Sequence, residues 1–346
     1  MPFESQDAER KEIAIMRILS DSPLPLGARV IGQQLKGHGF ELGERAVRYH
    51  LKLMDERGLT YLMGRRDGRV LTDKGLEEVM SALVKDKVGF AISKIETLSF
   101  RTSFDPIQRR GLVPVNVSFF PREDFERALR VMRPVFEVGL CASDLVGVAA
   151  EGERLGELTV PPGKMGLATV CSIVFNGALL KASVPMDSRF GGILQMRNRQ
   201  PWRFVELIDY AGCSLDPSTI FIKARMTAVG DVVATGDGKV LANFREIPAV
   251  CRSVAQQVIA DLNEAGFHGV AVVGETSEAV CEMPVGLNKL GMVLLGGLNP
   301  VAAVEEAGIP TDNLAMSTVM EYQDLVRFKE AVIDYRDLVR FRQASR

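Results

Sequence analysis

The chain has 346 residues, enough for two or three domains, and its 47% hydrophobic and 25% charged residues are those of an ordinary globular protein. A net charge of −2 excludes a protein that binds nucleic acid over its whole surface; with no signal peptide and no apolar run near 18 residues, secretion and membrane spanning are not expected. Five cysteines without CxxC spacing and three scattered histidines suggest no metal and no cofactor, and free thiols suit a cytoplasmic protein.

In chain order, the first expected element is a helix over about 8–19, with Ile13, Met16 and Leu19 turned inward. A Ser-Pro-Leu-Pro break follows, then a short helix over 27–35 and a turn at Lys36-Gly37-His38-Gly39. The stretch ERAVRYHLKLMDERGLT (44–60) predicts a helix with Val47, Leu51 and Met54 on one face, at the i, i+4, i+7 spacing of a core-packing stripe. Arg45, Arg48, Tyr49 and Lys52 then fall on the opposite side, and His50 sits beside the stripe as a packing residue. Gly58 stops the helix, an apolar strand runs over 59–63, and Gly64 with Asp67-Gly68 turns the chain back into Val70-Leu71. Arg65, Arg66 and Arg69 decorate that loop. This is the layout of a winged helix-turn-helix, which places one helix in the major groove of double-stranded DNA and a basic loop on the neighbouring backbone. A charged helix face is often merely solvated, but here the wing and the charge agree. Residues 27–75 hold ten Lys/Arg against six Asp/Glu, so a balance of +4 in this segment leaves −6 for the rest.

Thr72 is placed to cap a further helix over 73–84, its hydroxyl taking a free first-turn amide. Residues 85–110, of mixed polarity with a Phe-Asp-Pro turn, read as a connector. From Leu112 onward, short β-branched runs alternate with glycines and amphipathic helices, and the segment repeats. Residues 115–140 lie on 241–267, pairing Asn116 with Asn243 and Pro121 with Pro248; 147–153 lie on 269–275; 165–185 lie on 290–310, pairing Gly166 with Gly291. The whole chain is thus expected to be mixed α/β (α+β): a winged helix over 1–84, the connector, and a regulatory domain over 111–346 made of two similar α/β halves, 111–238 and 239–346. The halves differ in one place: the first has CSIVFNGALLKASVP and RFGGILQM where the second has GGLNPVAAVEEAGIP, which makes Cys171 to Gly192 the place to look for a ligand. Two near-copies, YQDLVRF (322–328) and YRDLVRF (335–341), would form an apolar stripe at helical pitch, suited to packing on the domain or on a dimer partner.

RAVRYHLKLMDERGLT, NVSFF, CSIVFNGALLKASVP, FGGILQM, YAGCSLDPSTIF and GGLNPVAAVEEAGI together resemble the NrpR family of nitrogen-responsive transcriptional repressors of archaea, over essentially the whole chain. The resemblance implies a homodimeric repressor that binds 2-oxoglutarate and then releases its operator. Some members carry two regulatory domains; this chain has one. A dicarboxylate needs cations, hydroxyls and close backbone approach. Lys181 and Arg189 offer charge, Cys171, Ser172, Asn176 and Ser188 offer polar groups, and Gly191-Gly192 offers backbone; the competing reading is that the glycines merely turn the chain and Arg189 pairs with Asp187 or Glu206. Two other readings stand beside this one: a constitutive DNA-binding protein whose large domain only dimerises, and an α/β enzyme with Cys171 as nucleophile. The enzyme is not expected, because no histidine is placed by sequence to serve as base.

Overall fold

A computed structural model describes residues 2–22, 24–37, 40–64, 68–81 and 88–333. The chain divides into two compact units, 1–88 and 89–346.

In the first unit, helices α1 (Pro2–Ser20), α2 (Ala28–Gly37) and α3 (Glu44–Glu56) precede a hairpin of β1 (Thr60–Gly64) and β2 (Gly68–Leu71) and a helix α4 (Asp73–Ser81). α1 is longer than the sequence pattern marks, because its first turns lie outside the apolar stripe. Val47, Leu51 and Met54 of α3 are fully buried with Ile15, Ile31 and Leu35 in one core, as their spacing requires. Thr72 caps α4: its hydroxyl accepts the Gly75 amide at 3.0 Å. The hairpin gains a third backbone partner, since Leu26 and Arg69 exchange both amide hydrogen bonds. Gly68 is required there: its φ is +99°, and a Cβ would stand 2.6 Å from the Leu26 carbonyl oxygen.

The second unit opens with α5 (Phe90–Arg101), inside the stretch read from sequence as a connector. Ala91, Ile95 and Leu98 are buried at i, i+4 and i+7. Ser93, Lys94, Glu96 and Thr97 narrow this stripe and hide it in the sequence. Then come β3 (Leu112–Pro121), α6 (Phe125–Glu137), β4 (Leu145–Ala150), a small hairpin β5 (Arg154–Leu155) and β6 (Leu158–Thr159), β7 (Lys164–Val170), α7 (Ile173–Lys181) and β8 (Asp187–Arg197). β9 (Gln200–Asp209), α8 (Pro217–Lys223) and α9 (Val229–Thr235) separate this set from its repeat: β10 (Gly238–Pro248), α10 (Arg252–Glu264), β11 (Val270–Thr276), β12 (Lys289–Leu295), α11 (Asn299–Glu306) and β13 (Asp312–Glu321), with β14 (Val326–Arg327) last.

The two sets build two five-stranded antiparallel sheets, ordered β13-β3-β7-β4-β14 and β11-β12-β10-β8-β9. Each half therefore gives its final strand to the other half's sheet: β8 pairs with β10, and β13 with β3. The halves meet through this exchange and neither stands alone, so a division near 238 does not cut the unit into separate folds. The central pairings repeat in register. Asn116 faces Thr169 and Pro121 faces Lys164; Asn243 faces Leu294 and Pro248 faces Lys289. In the second strand the sequence alignment slips: Gly147 faces Ala168, but Val293, the counterpart of Ala168, faces Val272 and not Gly269.

The first YxDLVRF copy is not helical. Tyr322–Asp324 form a single 3-10 turn, Val326 and Arg327 pair with Val146 and Leu145 on the edge of β4, and Leu325 and Phe328 are buried. The open edge of β4 and the Arg327–Asp144 ion pair, at 2.7 Å, favour the extended form. The second copy lies outside the described residues. Among the described residues no helix is long and apolar enough to cross a membrane, and no cluster of His, Cys, Asp and Glu could hold a metal ion.

Candidate functional site

The outward face of α3 carries Arg45, Arg48, Tyr49 and Lys52, all exposed, with Tyr49 at 62%. Arg48 pairs with Glu44 one turn back, and Lys52 lies 3.7 Å from Glu56. Such exposed helix pairs contribute only about 0.3–0.5 kcal/mol, so a phosphate can displace them at small cost. Arg69 is placed differently from its sequence reading. Its Nε donates to Asp55 Oδ2 at 2.8 Å, while Asp55 Oδ1 accepts the Thr60 hydroxyl. Through this one nitrogen it ties the wing to α3. Arg65 and Arg66 lie outside the described residues. His50 is buried against α1, with Nδ1 3.7 Å from Glu12.

In the regulatory unit the two halves meet at equivalent strand-to-helix corners. β7 runs through Cys171 and Ser172 into α7; β12 runs through Gly296 and Gly297 into α11. The second corner has no space for side chains. A Cβ on Gly297 would collide with the Val170 carbonyl and stand 2.8 Å from Asn116 Nδ2; one on Gly296 would stand 2.8 Å from Leu241. The two corners pack on each other, so only one can carry side chains there.

A small cavity lies where they meet, lined by Asn116, Cys171, Ser172, Tyr210, Asp216, Ser218, Asn243, Arg245, Gly296, Gly297 and Met316 among others. Its volume, taken as room for the centre of a water-sized sphere, is about 20 Å³, enough for a water molecule. Tyr210 donates its hydroxyl hydrogen to Asn243 Oδ1, and Asn243 Nδ2 donates to Ser172 Oγ at 3.1 Å. On the other side, Asn116 Oδ1 accepts the Met316 amide at 3.0 Å. Met316 has a φ of +50°, within a bulge of β13 between Leu314 and Thr318.

Arg245 is the unusual member. It is 1% exposed, its guanidinium carbon lies 5.1 Å from the centre of the Tyr210 ring, and its Nε and Nη1 have no hydrogen-bond partner among the described residues. Burial pulls its pKa down, opposed by its contacts with Tyr210, but an arginine keeps its proton in proteins. Burial pushes the Cys171 thiol up to about 12, against the pull of the Ile173 amide, and raises the Tyr210 phenol as well. Asp216 keeps some surface as a residue, yet desolvation of its carboxyl raises its pKa, opposed by the Thr219 amide. The cavity therefore joins a fixed cation to neighbours that burial holds toward their neutral forms. Such a thiol is a poor nucleophile.

Of the segment favoured from sequence, Cys171 and Ser172 line this cavity. Gly191 lies beside it, since a Cβ there would stand 2.9 Å from Tyr210 Oη; Gly192 instead backs onto Glu206. Asn176 donates to Ser188 Oγ at 3.0 Å in a separate buried pair, with its Oδ1 unpartnered. Lys181 donates to the Thr102 carbonyl from the far end of α7, about 13 Å of helix beyond Ser172. Arg189 is half-exposed, 3.6 Å from both Asp187 and Glu246, the first of these being the pairing weighed against a ligand role. Sequence reasoning missed Arg245, Tyr210, Asn243, Asn116 and Asp216. A signal existed: Asn116 and Asn243 align in the repeat, and Arg245 shares a strand face with Asn243.

A family model for the NrpR regulatory domains NRD1 and 2 matches residues 88–327, and one for the ribonuclease R winged-helix domain matches 13–79. The chain belongs to the NrpR family. It is 41% identical to the global nitrogen regulator NrpRI of Methanosarcina mazei, over 92% of this chain and 97% of that protein. It is 31% and 32% identical to the NrpR regulators of Methanococcus maripaludis and Methanocaldococcus jannaschii, over 91% and 94% of this chain but only 54% and 56% of theirs. The crystal structure of a nitrogen repressor-like protein from Methanococcus jannaschii superposes with a TM-score of 0.59 at 27% identity, over 69% of this chain and 98% of that one. These relatives are named as regulators, not enzymes.

Proposed function

We propose that this NrpR-family chain is a cytoplasmic, nitrogen-responsive transcriptional repressor that binds operator DNA as a homodimer and is released by 2-oxoglutarate. The single observation that carries the reading is the exposed cationic face of α3, on a winged helix, in the same chain as a family regulatory unit with an unneutralised buried arginine. In the dimer two α3 helices enter successive major-groove half-sites. Arg45, Arg48 and Lys52 supply phosphate and base-edge contacts, and Tyr49 supplies a hydroxyl for the backbone. Release by 2-oxoglutarate requires that it favour one arrangement of the dimer over the other; a ligand that bound both equally would switch nothing.

The test is fluorescence anisotropy on a duplex selected from random sequence by the full chain. Saturating 2-oxoglutarate is expected to weaken binding about 5–150-fold, the usual range for site–site coupling. Arg48→Ala is expected to weaken it roughly tenfold and to lower the salt dependence by about one counterion. An affinity indifferent to 2-oxoglutarate refutes the switch; one indifferent to substitutions at 45, 48 and 52 refutes the helix.

A further inference from the structure

Arg245 is a poor residue for a core unless something else completes it. A guanidinium with two unpartnered donors and 1% exposure has lost its hydration and gained no anion in exchange. The one carboxyl group lining the cavity, Asp216, makes no ion pair with it within 4 Å, and accepts the Thr219 amide instead. Tyr210 and Asn243 are already committed to each other and to Ser172, so they hold the walls and leave the arginine fork open.

Both corners aim helix starts at the same space. α7, of nine residues, begins after Ser172, and α11, of eight, begins after Leu298; Ser172, Ile173 and Leu298 all line the cavity. Helix starts carry partial positive charge; here the Val174, Phe175 and Asn299 amides turn back to the Cys171, Ser172 and Gly296 carbonyls and Pro300 has no amide, so the starts act through their dipoles. Lys94, whose Nζ reaches the Ala315 carbonyl at 3.3 Å, adds positive potential felt at Cys171 and Asp216. Gly296 and Gly297 bring backbone up to this space with no side chain in the way. Arg245, Lys94 and the two helix starts make the field positive, opposed by the Asp216 carboxyl in the cavity wall, whose own burial holds it toward its neutral form.

We propose that the Arg245 cavity, at the junction of the two halves, is the seat for one carboxylate group of a small organic acid, held by Arg245 Nε and Nη1 between the starts of α7 and α11. This rests on the effector reading given above and names where the effector is anchored. The volume fits the anchoring group and not the body of a five-carbon diacid, so the rest of the ligand enters only as the walls part. The wall made of Ala315 and Met316 is the bulge of β13, the strand that one half lends to the other, which places ligand entry on the element joining the halves.

The test is thermal melting and calorimetry of the full chain with 2-oxoglutarate, glutarate and acetate, beside Arg245→Met and Arg245→Lys. Without ligand, Arg245→Met is expected to melt no lower than the wild type, since it removes an uncompensated buried charge, and to lose every carboxylate-induced rise in melting temperature. Arg245→Lys keeps the charge without the fork and is expected to bind at least tenfold more weakly. If 2-oxoglutarate binds the wild type and Arg245→Lys equally, the cavity is refuted and the effector reading stands. Response of the wild type to glutarate or acetate but not to 2-oxoglutarate, lost in both variants, keeps the cavity and refutes the effector. No response of the wild type to any carboxylate overturns the proposal.

Discussion

The corner at Cys171-Ser172 and the corner at Gly296-Gly297 occupy the same place in two copies of one βαββαβ arrangement, yet they differ in what they can hold. The first carries a thiol and a hydroxyl, and Ser172 accepts a hydrogen bond from Asn243 of the other half. The second carries no side chain, because Val170, Asn116 and Leu241 fill the space where one would stand. The glycines are thus not a faded copy of the first site. They let the two corners approach closely enough to share one cavity, lined by polar residues of both halves. A duplicated fold with exchanged strands places this cavity at the junction of its halves.

The comparison can be broken most violently by giving the second corner the first one's residues. Gly297→Ser should cost about 3 kcal/mol or more, seen as a lower urea midpoint in circular dichroism, because no nearby rotamer change clears the Val170 backbone. A variant as stable as wild type would show that the corners do not pack as described. The paired asparagines sharpen the contrast. Asn243→Ala strands the Tyr210 hydroxyl and should cost about 2 kcal/mol, while Asn116→Ala gives up its acceptor for the Met316 amide and should cost about 1 kcal/mol. Equal costs would mean the two halves contribute alike to the cavity. Ser172→Ala, which removes one side-chain acceptor, should cost no more than about 1 kcal/mol.

The smallest effect appears only in alkali. Cys171 has a folded-state pKa raised from 9.0 to about 12, so the thiol's contribution is fully present below pH 9 and is lost as the pH climbs towards 12, where the unfolded chain ionises and the folded one resists. Cys171→Ala should therefore sit a constant amount below wild type near neutral pH and decline less steeply between pH 9 and 12. The slope will not vanish, because Cys141 is raised in the same way. Identical alkaline slopes would contradict the burial assigned to Cys171.

What was legible in the sequence follows from how local each signal is. α3 could be read because Val47, Leu51 and Met54 declare its buried face within three turns, and Arg45, Arg48, Tyr49 and Lys52 fall on the opposite side. The repeat in the regulatory unit was legible from local signals too, down to the matching of Pro121 with Pro248, whose strands pair in equivalent register. The exchange of β8 and β13 was not, since β8 pairs with the next half's first strand and β13 with the previous half's, and the same alternation serves either sheet. Arg69 looked like a free wing cation because its partner, Asp55, is fourteen residues away on another element. Arg245 was passed over because Arg-Glu at the end of the strand GKVLANFREIP reads as a solvated pair, and only the packing of the two corners closes over it.

The central claim is that one chain couples a carboxylate site in the regulatory unit to DNA held by α3. Linkage makes the coupling reciprocal. The measurement that tests it most directly is the affinity of the full chain for 2-oxoglutarate, taken by calorimetry with the protein free and with the protein saturated by its selected duplex. The account predicts weaker binding to the DNA-bound form, by the same factor by which 2-oxoglutarate weakens binding to DNA. Equal affinities for the free and DNA-bound protein would contradict it.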